Sequence, residues 1–195
     1  SVNAARPIVL GDQILLTAAY ETGAALLKVA PDGKDYTVTW RKPEGMSCHW
    51  STPIILEGVI YGFSGRHEQE ARLQAVQLDS GKLLWESNGF DRPLDDLEQD
   101  PQTGRIQDKT TGKPVPWPFY GRGSKILADG KFIVLAERGT LALVEPSKSG
   151  LKEVSRTSFK EIGYPSWAAP VLSRGRLFLR SESHLITLDL LPKTP

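Results

Sequence analysis

Cys48 and His49 are the first residues in this chain whose types invite chemistry, since a thiol beside an imidazole is the pairing of a nucleophilic or metal-binding centre. Their spacing argues against both. Neighbouring residues on an extended strand point to opposite faces, Cys48 is the single cysteine, and the other histidines, His67 and His184, stand in separate loops without ligand spacing. No catalytic residue and no metal site is therefore expected. A lone cysteine also excludes an internal disulfide. Five acidic residues, Asp91, Asp95, Asp96, Glu98 and Asp100, crowd a second stretch and suggest calcium. They do not alternate around a glycine as a calcium loop requires.

A more coherent set of polar and aromatic side chains lies in four short segments, Val2–Arg6, Met46–Ser51, Tyr120–Ser124 and Tyr164–Ala168. If these segments converge, Asn3, Arg6, His49, Trp50, Tyr120, Arg122, Ser166 and Trp167 are the candidate ligand-binding residues. Aromatic walls with a few polar groups make a concave ligand site. The same rings also serve as plugs between packed sheets, and the residues alone leave both readings open.

Convergence follows from a repeat. The clearest unit runs Ser51-Thr52-Pro53-Ile54-Ile55-Leu56-Glu57-Gly58-Val59-Ile60-Tyr61-Gly62 and then Leu73-Gln74-Ala75-Val76-Gln77-Leu78-Asp79-Ser80-Gly81-Lys82-Leu83-Leu84-Trp85. It reads as four short strands with glycine turns between them. The same order recurs from Arg6, from Ser124 and from Ala169, and each candidate segment leads into the first strand of one copy. Taking Pro7, Pro53, Lys125 and Pro170 as one position, the period is about 45 residues, with one interval of about 72. The long interval holds an insertion, residues 91–118, with five prolines and no apolar periodicity. Setting it aside restores the period. The turn sequence Asp108-Lys109-Thr110-Thr111-Gly112-Lys113 predicts a protruding hairpin there, and Trp117 with Phe119 and Tyr120 just after the insertion could touch a partner.

Eighteen glycines and fourteen prolines interrupt the chain too often for long helices, and no stretch keeps a helical apolar spacing. The fold class is all-β. A four-stranded unit of this size cannot bury both faces alone, whereas radial stacking packs each sheet on its neighbours: a β-propeller with about four blades. The expected blades are about 1–43, 44–90, 119–163 and 164–195. A two-sheet sandwich would also supply evenly spaced strands, but it gives no reason for the same order to recur four times.

Composition excludes several classes. With 24 basic and 23 acidic residues interspersed, a net charge of +1 and 39% hydrophobic residues, the chain is neither disordered nor striped for nucleic acid. Its apolar runs, such as Phe132–Ala136, are far too short for a transmembrane helix. No signal peptide is visible in the first residues.

The quoted unit resembles the tryptophan-docking repeat of quinoprotein-like β-propellers, a group that includes pyrroloquinoline-quinone dehydrogenases and a non-enzymatic lipoprotein of outer-membrane assembly. It looks most similar to bacterial secreted repeat proteins of uncertain activity. Trp85 closes its unit in the manner of the docking pattern, Trp40 is a second instance, and Phe159 stands near that place in the third copy. The resemblance implies seven or eight blades, so this chain resembles about half a ring, a partial seven- or eight-bladed propeller. Its expected partner is the remainder of the propeller or a second chain, with the last blade's outer strand supplied from elsewhere. It also implies a periplasmic or secreted location.

Two functions follow from the resemblance. One is a non-enzymatic scaffold that presents a face, or the 91–118 insertion, to a protein or glycan partner without cofactor. The other is part of a pyrroloquinoline-quinone-dependent dehydrogenase acting on alcohols or sugars, with quinone and calcium. That class uses carboxylate and amide oxygens for calcium, an Asp as base and often a pair of adjacent cysteines. Here the cysteine pair is missing, and none of the four converging segments contains an Asp. Only Asn3, Arg6 and Arg122 could meet an anionic quinone.

Overall fold

The computed structural model describes residues 4–89, 94–102, 106–115 and 118–191. Four antiparallel sheets follow one another along the chain. The first contains β1 (Ile8–Leu10), β2 (Gln13–Ala18), β3 (Gly23–Val29) and β4 (Tyr36–Lys42), and the second β5 (Ile54–Leu56), β6 (Val59–Ser64), β7 (Arg72–Gln77) and β8 (Leu83–Ser87). A small hairpin, β9 (Leu97–Gln99) and β10 (Ile106–Asp108), follows a 3-10 turn at Leu94–Asp96. The third sheet holds β11 (Ser124–Ala128), β12 (Lys131–Leu135), β13 (Thr140–Ser147) and β14 (Gly150–Ser158); the fourth holds β15 (Val171–Ser173), β16 (Arg176–Arg180) and β17 (Leu185–Asp189). Each sheet is a simple meander, the strand order of a propeller blade.

Local chemistry fixes these meanders. Glu57-Gly58, Asp129-Gly130 and Arg174-Gly175 all take left-handed backbone at both positions, which is the two-residue hairpin turn whose twist matches the flanking strands. Between third and fourth strands, the register shifts once in each complete sheet, at Leu26/Leu27, Ala75/Val76 and Leu143/Val144. The bulge turns the outer strand so that the residue just past it faces the next sheet.

That residue is Trp40 in the first sheet, opposite Leu26, and Trp85 in the second, opposite Ala75. The indole of Trp40 donates to the Leu78 carbonyl at 2.8 Å, and that of Trp85 to the Ser147 carbonyl at 2.8 Å. Each outer strand is thus pinned to the turn between β7 and β8, or β13 and β14, of the following sheet. In the third sheet the same place, opposite Leu143, is Ser155. Phe159 lies four residues further on and packs into the core between the third and fourth sheets instead. The bulge is the same as in the first two sheets, but the docking place here is filled by Ser155, which carries no ring.

Three apolar clusters lie between consecutive sheets. Leu15, Leu26 and Trp40 meet Ile60, Val76 and Cys48. Tyr61, Phe63 and Leu73 meet Phe132, Val134 and Val144, and Ile133 with Leu135 meets Leu177 and Leu179. Burial of such apolar area is the main force that stacks the blades. The two end faces lack this cover: Val9 on the first sheet is 68% exposed and Val171 on the fourth 56%. Blade four has three strands among the described residues.

The expected turn at Asp108–Lys113 follows β10 and brings Pro114 back beside Gln107, and the Asp108 carboxylate caps it by accepting from the amides of Thr110 and Thr111. The neck of the insertion is tied down: Tyr120 N–H donates to the Asn88 carbonyl at 2.9 Å, while Arg156 donates to the carbonyls of Pro118 and Gly89. Asp91, Pro93, Pro116 and Trp117 lie outside the described residues.

Candidate functional site

At one end of the sheets the loops that follow second strands meet the segments that precede first strands. Tyr20 follows β2, Arg66 and Glu68 follow β6, and Glu137 and Arg138 follow β12. His49 and Trp50 precede β5, Arg122 precedes β11, and Tyr164 and Trp167 precede β15. Their contacts join these side chains into one line across four blades.

Glu137 is its centre. The residue is fully buried, and its carboxylate accepts from Arg122 Nη2 at 2.6 Å, Arg122 Nε at 3.1 Å, the Arg122 backbone N–H at 2.8 Å and Trp167 Nε1 at 2.7 Å. Such a fork-on-fork pair fixes the guanidinium in plane. Gly121 makes the approach feasible, because a Cβ there, at a backbone φ of +58°, would lie 2.9 Å from Glu137 Oε2.

The held guanidinium then organises the rings. Arg122 Cζ lies 4.6 Å from the centre of the Trp50 ring and 5.7 Å from that of Trp167, and the two indoles stand 4.8 Å apart. Its Nη1 donates to the Arg66 carbonyl at 3.0 Å and its Nη2 reaches the Tyr164 hydroxyl at 3.4 Å. His49 meets Trp50 edge-on at 4.8 Å and shares a 3.1 Å hydrogen bond with the Tyr20 hydroxyl, over whose ring Arg66 lies at 4.5 Å. A second ion pair flanks the line: Arg138 donates to both oxygens of Glu68, at 2.6 and 2.9 Å, and covers the Tyr164 ring at 5.0 Å. Cation–π contacts of this kind are worth about 0.5–2 kcal/mol each as desolvation grows.

Charge follows the same geometry. Burial works against the Arg122 cation, but the hydrogen bonds and charge of Glu137 outweigh it and hold the group above its ordinary range. His49 is pushed below 6.5, first by burial and then by the cations Arg122 and Arg66, so its imidazole is neutral at pH 7. Cys48 is pushed up to about 11, mainly by burial, and stays a thiol.

Of the residues expected from sequence, His49, Trp50, Arg122 and Trp167 come together here. Asn3 lies outside the described residues. Arg6 is exposed and its backbone N–H donates to Thr52 Oγ1 at 3.3 Å. Tyr120 is buried between blades, with its ring beside Phe63 and its hydroxyl on Glu153 at 2.6 Å, while Ser166 is fully buried and donates to the Arg180 carbonyl at 2.9 Å. These two positions brace the segments rather than face the mouth. Tyr20, Arg66, Glu68, Glu137 and Arg138 escaped the sequence reading. The one signal for Glu137 was an acidic residue placed directly after the apolar run Phe132–Ala136.

Around the line lie two recesses. A groove of about 1010 Å³ between the first and second sheets is bordered by Tyr20, Glu21, Glu44, Arg66 and Glu70. A smaller one, of about 420 Å³, is bordered by Trp50 and Trp167 together with Arg6 and Lys125.

The geometry defines the class: consecutive antiparallel meanders, the first two pinned to the following sheet through the indoles of Trp40 and Trp85, are blades of a partial β-propeller. No family model matches the chain, and no curated protein matches it. Among solved structures it is similar to BamB from Moraxella catarrhalis, with a TM-score of 0.56 and 14% identity over 94% of this chain. The match spans 41% of that BamB chain. A europium-containing methanol dehydrogenase also matches, with a TM-score of 0.46 and 15% identity over 78% of this chain and 24% of that one.

The resemblance read from the sequence implies, for the enzymes of that group, a quinone and a calcium ion, and the groups at the mouth bear on the ion as follows. Among the described residues no three His, Cys, Asp or Glu side chains stand close enough to hold a metal ion. The central carboxylate, Glu137, already accepts four hydrogen bonds. The smaller recess has no carboxylate on its wall.

Proposed function

We propose that this chain is a non-enzymatic propeller module whose mouth presents a fixed platform of rings and guanidinium groups to a protein or glycan partner. The observation that carries the reading is the use of Glu137. A buried carboxylate that accepts four hydrogen bonds has no free lone pair for proton transfer or for calcium, so its work is to hold Arg122, Trp50 and Trp167 in place. Outside this support Trp167 is 45% exposed and Tyr164 51% exposed. Rigid Trp, Tyr and Arg side chains are the residues that dominate binding hot spots, because they bury large area at small entropic cost. The same reading sets the chain in the periplasm or outside the cell and takes its open end faces as surfaces covered by the rest of a ring, from a longer chain or a second one.

The experiment compares wild-type chain with a Trp167→Ala/Tyr164→Ala double variant and a remote Lys152→Ala control on cell-envelope glycans and proteins. Partner capture by wild type and control, lost in the double variant, supports the reading. Equal capture by all three contradicts it.

A further inference from the structure

The open face of the first sheet has the chemistry of a face that another blade covers. Strand pairing puts Val9, Ile14, Leu27 and Val38 in one apolar row across it. The equivalent rows run through Ile60 and Val76 in the second sheet, Phe132 and Val144 in the third and Leu177 in the fourth. Each of these five residues packs against the preceding sheet and is 4% exposed or less. In the first sheet Leu16, two residues beyond Ile14, is 37% exposed, whereas Val134 and Leu179, in the same place on later sheets, are fully buried.

The fourth sheet presents the complementary row. Val171, Phe178 and Thr187 on its open face correspond to Ile8, Leu15 and Leu26 of the first sheet and to Ile54, Tyr61 and Ala75 of the second, the rows with which those sheets cover their successors. Val171 is 56% exposed, and Phe178, at the place of the buried Leu15 and Tyr61, is only half-buried. Neither open row contains a charged residue, so no charge is buried unpaired when the two meet.

With the end faces read as parts of a ring, we infer that their occupant is a second copy of this chain: the fourth sheet of each copy packs on the first sheet of the other, and two sets of four blades close a ring of eight. A head-to-tail contact closes in this way only where the rotation per copy allows it, and four blades are half of such a ring. Three strands about 4.8 Å apart and about five residues long offer about 250 Å² of face, so two junctions cover about 1,000 Å² in all, the size at which specific interfaces begin.

Sedimentation velocity on the full chain tests this, with two variants that alter exposed side chains, Val9→Asp on the first sheet and Val171→Lys on the fourth. Wild type is expected to sediment at twice the chain mass of 21.5 kDa at about 10 μM. Each variant alone alters both junctions and should weaken dimerisation at least about hundredfold, with the far-ultraviolet dichroism unchanged. Mixed in equal amounts, the two variants form one unaltered junction and one that sets Asp against Lys, so dimer should return at a concentration where each alone is monomeric. A wild-type monomer at about 200 μM, the outcome if other blades complete the ring, would overturn the proposal. So would a mixture that stays monomeric, or a dimer that survives Val171→Lys, which would join first sheet to first sheet. Trp167 and Tyr164 are unchanged in every variant, so partner capture at the mouth is scored separately.

Discussion

Trp167 Nε1 donates to Glu137 Oε1 at 2.7 Å, a bond that ties the entry to the fourth blade to the exit from the second strand of the third. With Arg122 on the same carboxylate, it turns three loops that would otherwise be independent into one surface.

Replacing the carboxylate tests that surface. Glu137→Gln keeps the shape but leaves the Arg122 cation, whose side chain is 15% exposed, without its counter-charge. Removal of one partner from a buried pair costs about 3–5 kcal/mol. Thermal or urea unfolding should show a loss of that order, and the Trp50 and Trp167 fluorescence should broaden toward exposed indole. An unchanged midpoint would mean that the pair is not structural.

A pair of glycine substitutions tests the docking of outer strands. At Gly81, with φ at +66°, an added Cβ would lie 2.8 Å from the Trp40 ring, whereas at Gly33, with φ at +70°, it would meet nothing within 4 Å. Gly33→Ala should therefore cost only the backbone strain, about 1–2 kcal/mol. Gly81→Ala should cost at least about 1 kcal/mol more, by denaturant unfolding, because the indole must also move.

Lys125 makes a pH prediction. Burial lowers its pKa from 10.5 to about 8, with the Cys48 thiol as the one titratable group opposing the shift, while the facing Phe63 and Phe132 carry no charge. The unfolded chain then holds more protons than the folded one between about pH 8 and 10.5, so stability rises with pH across that window. Below pH 8 the full penalty applies, about 3 kcal/mol. Lys125→Met should raise the unfolding free energy by roughly that amount at pH 7, and its advantage should vanish near pH 10.5. A flat difference across pH would contradict the assignment.

His49 acts with the same sign at lower pH. Its pKa is held below 6.5 by burial and by Arg122 and Arg66, so the unfolded chain takes up a proton first as pH falls. The stability associated with the neutral ring is complete above 6.5 and declines below it. A proton resonance titration of His49 should show a midpoint under 6.5, and Arg66→Gln should move it upward.

The fold was legible in sequence because a propeller repeats its chemistry. Each glycine turn, Pro-led strand and closing Trp obeys local rules, so Trp40 and Trp85 could be read as the docking residues they are. Ser155 could not, because the docking place was sought by its aromatic residue and a serine at the equivalent position past the bulge gives no such signal. The site was half legible. Trp50, Trp167 and Arg122 stood out by type, and the repeat brought them together. Glu137 and Arg138 did not stand out, since the reading centred on segments before first strands and these two follow a second strand. Tyr120 shows the limit of residue type: its segment is at the mouth, but its ring fills the space beneath Gly89.

The central claim is that the mouth is a platform rather than a reaction centre. It is tested most directly by loading the chain with pyrroloquinoline quinone and calcium at one equivalent and following dye-linked oxidation of alcohols and sugars. The account predicts no turnover above the free cofactor, in wild type and in Glu137→Gln alike. Cofactor-stoichiometric turnover that disappears in Glu137→Gln would contradict it.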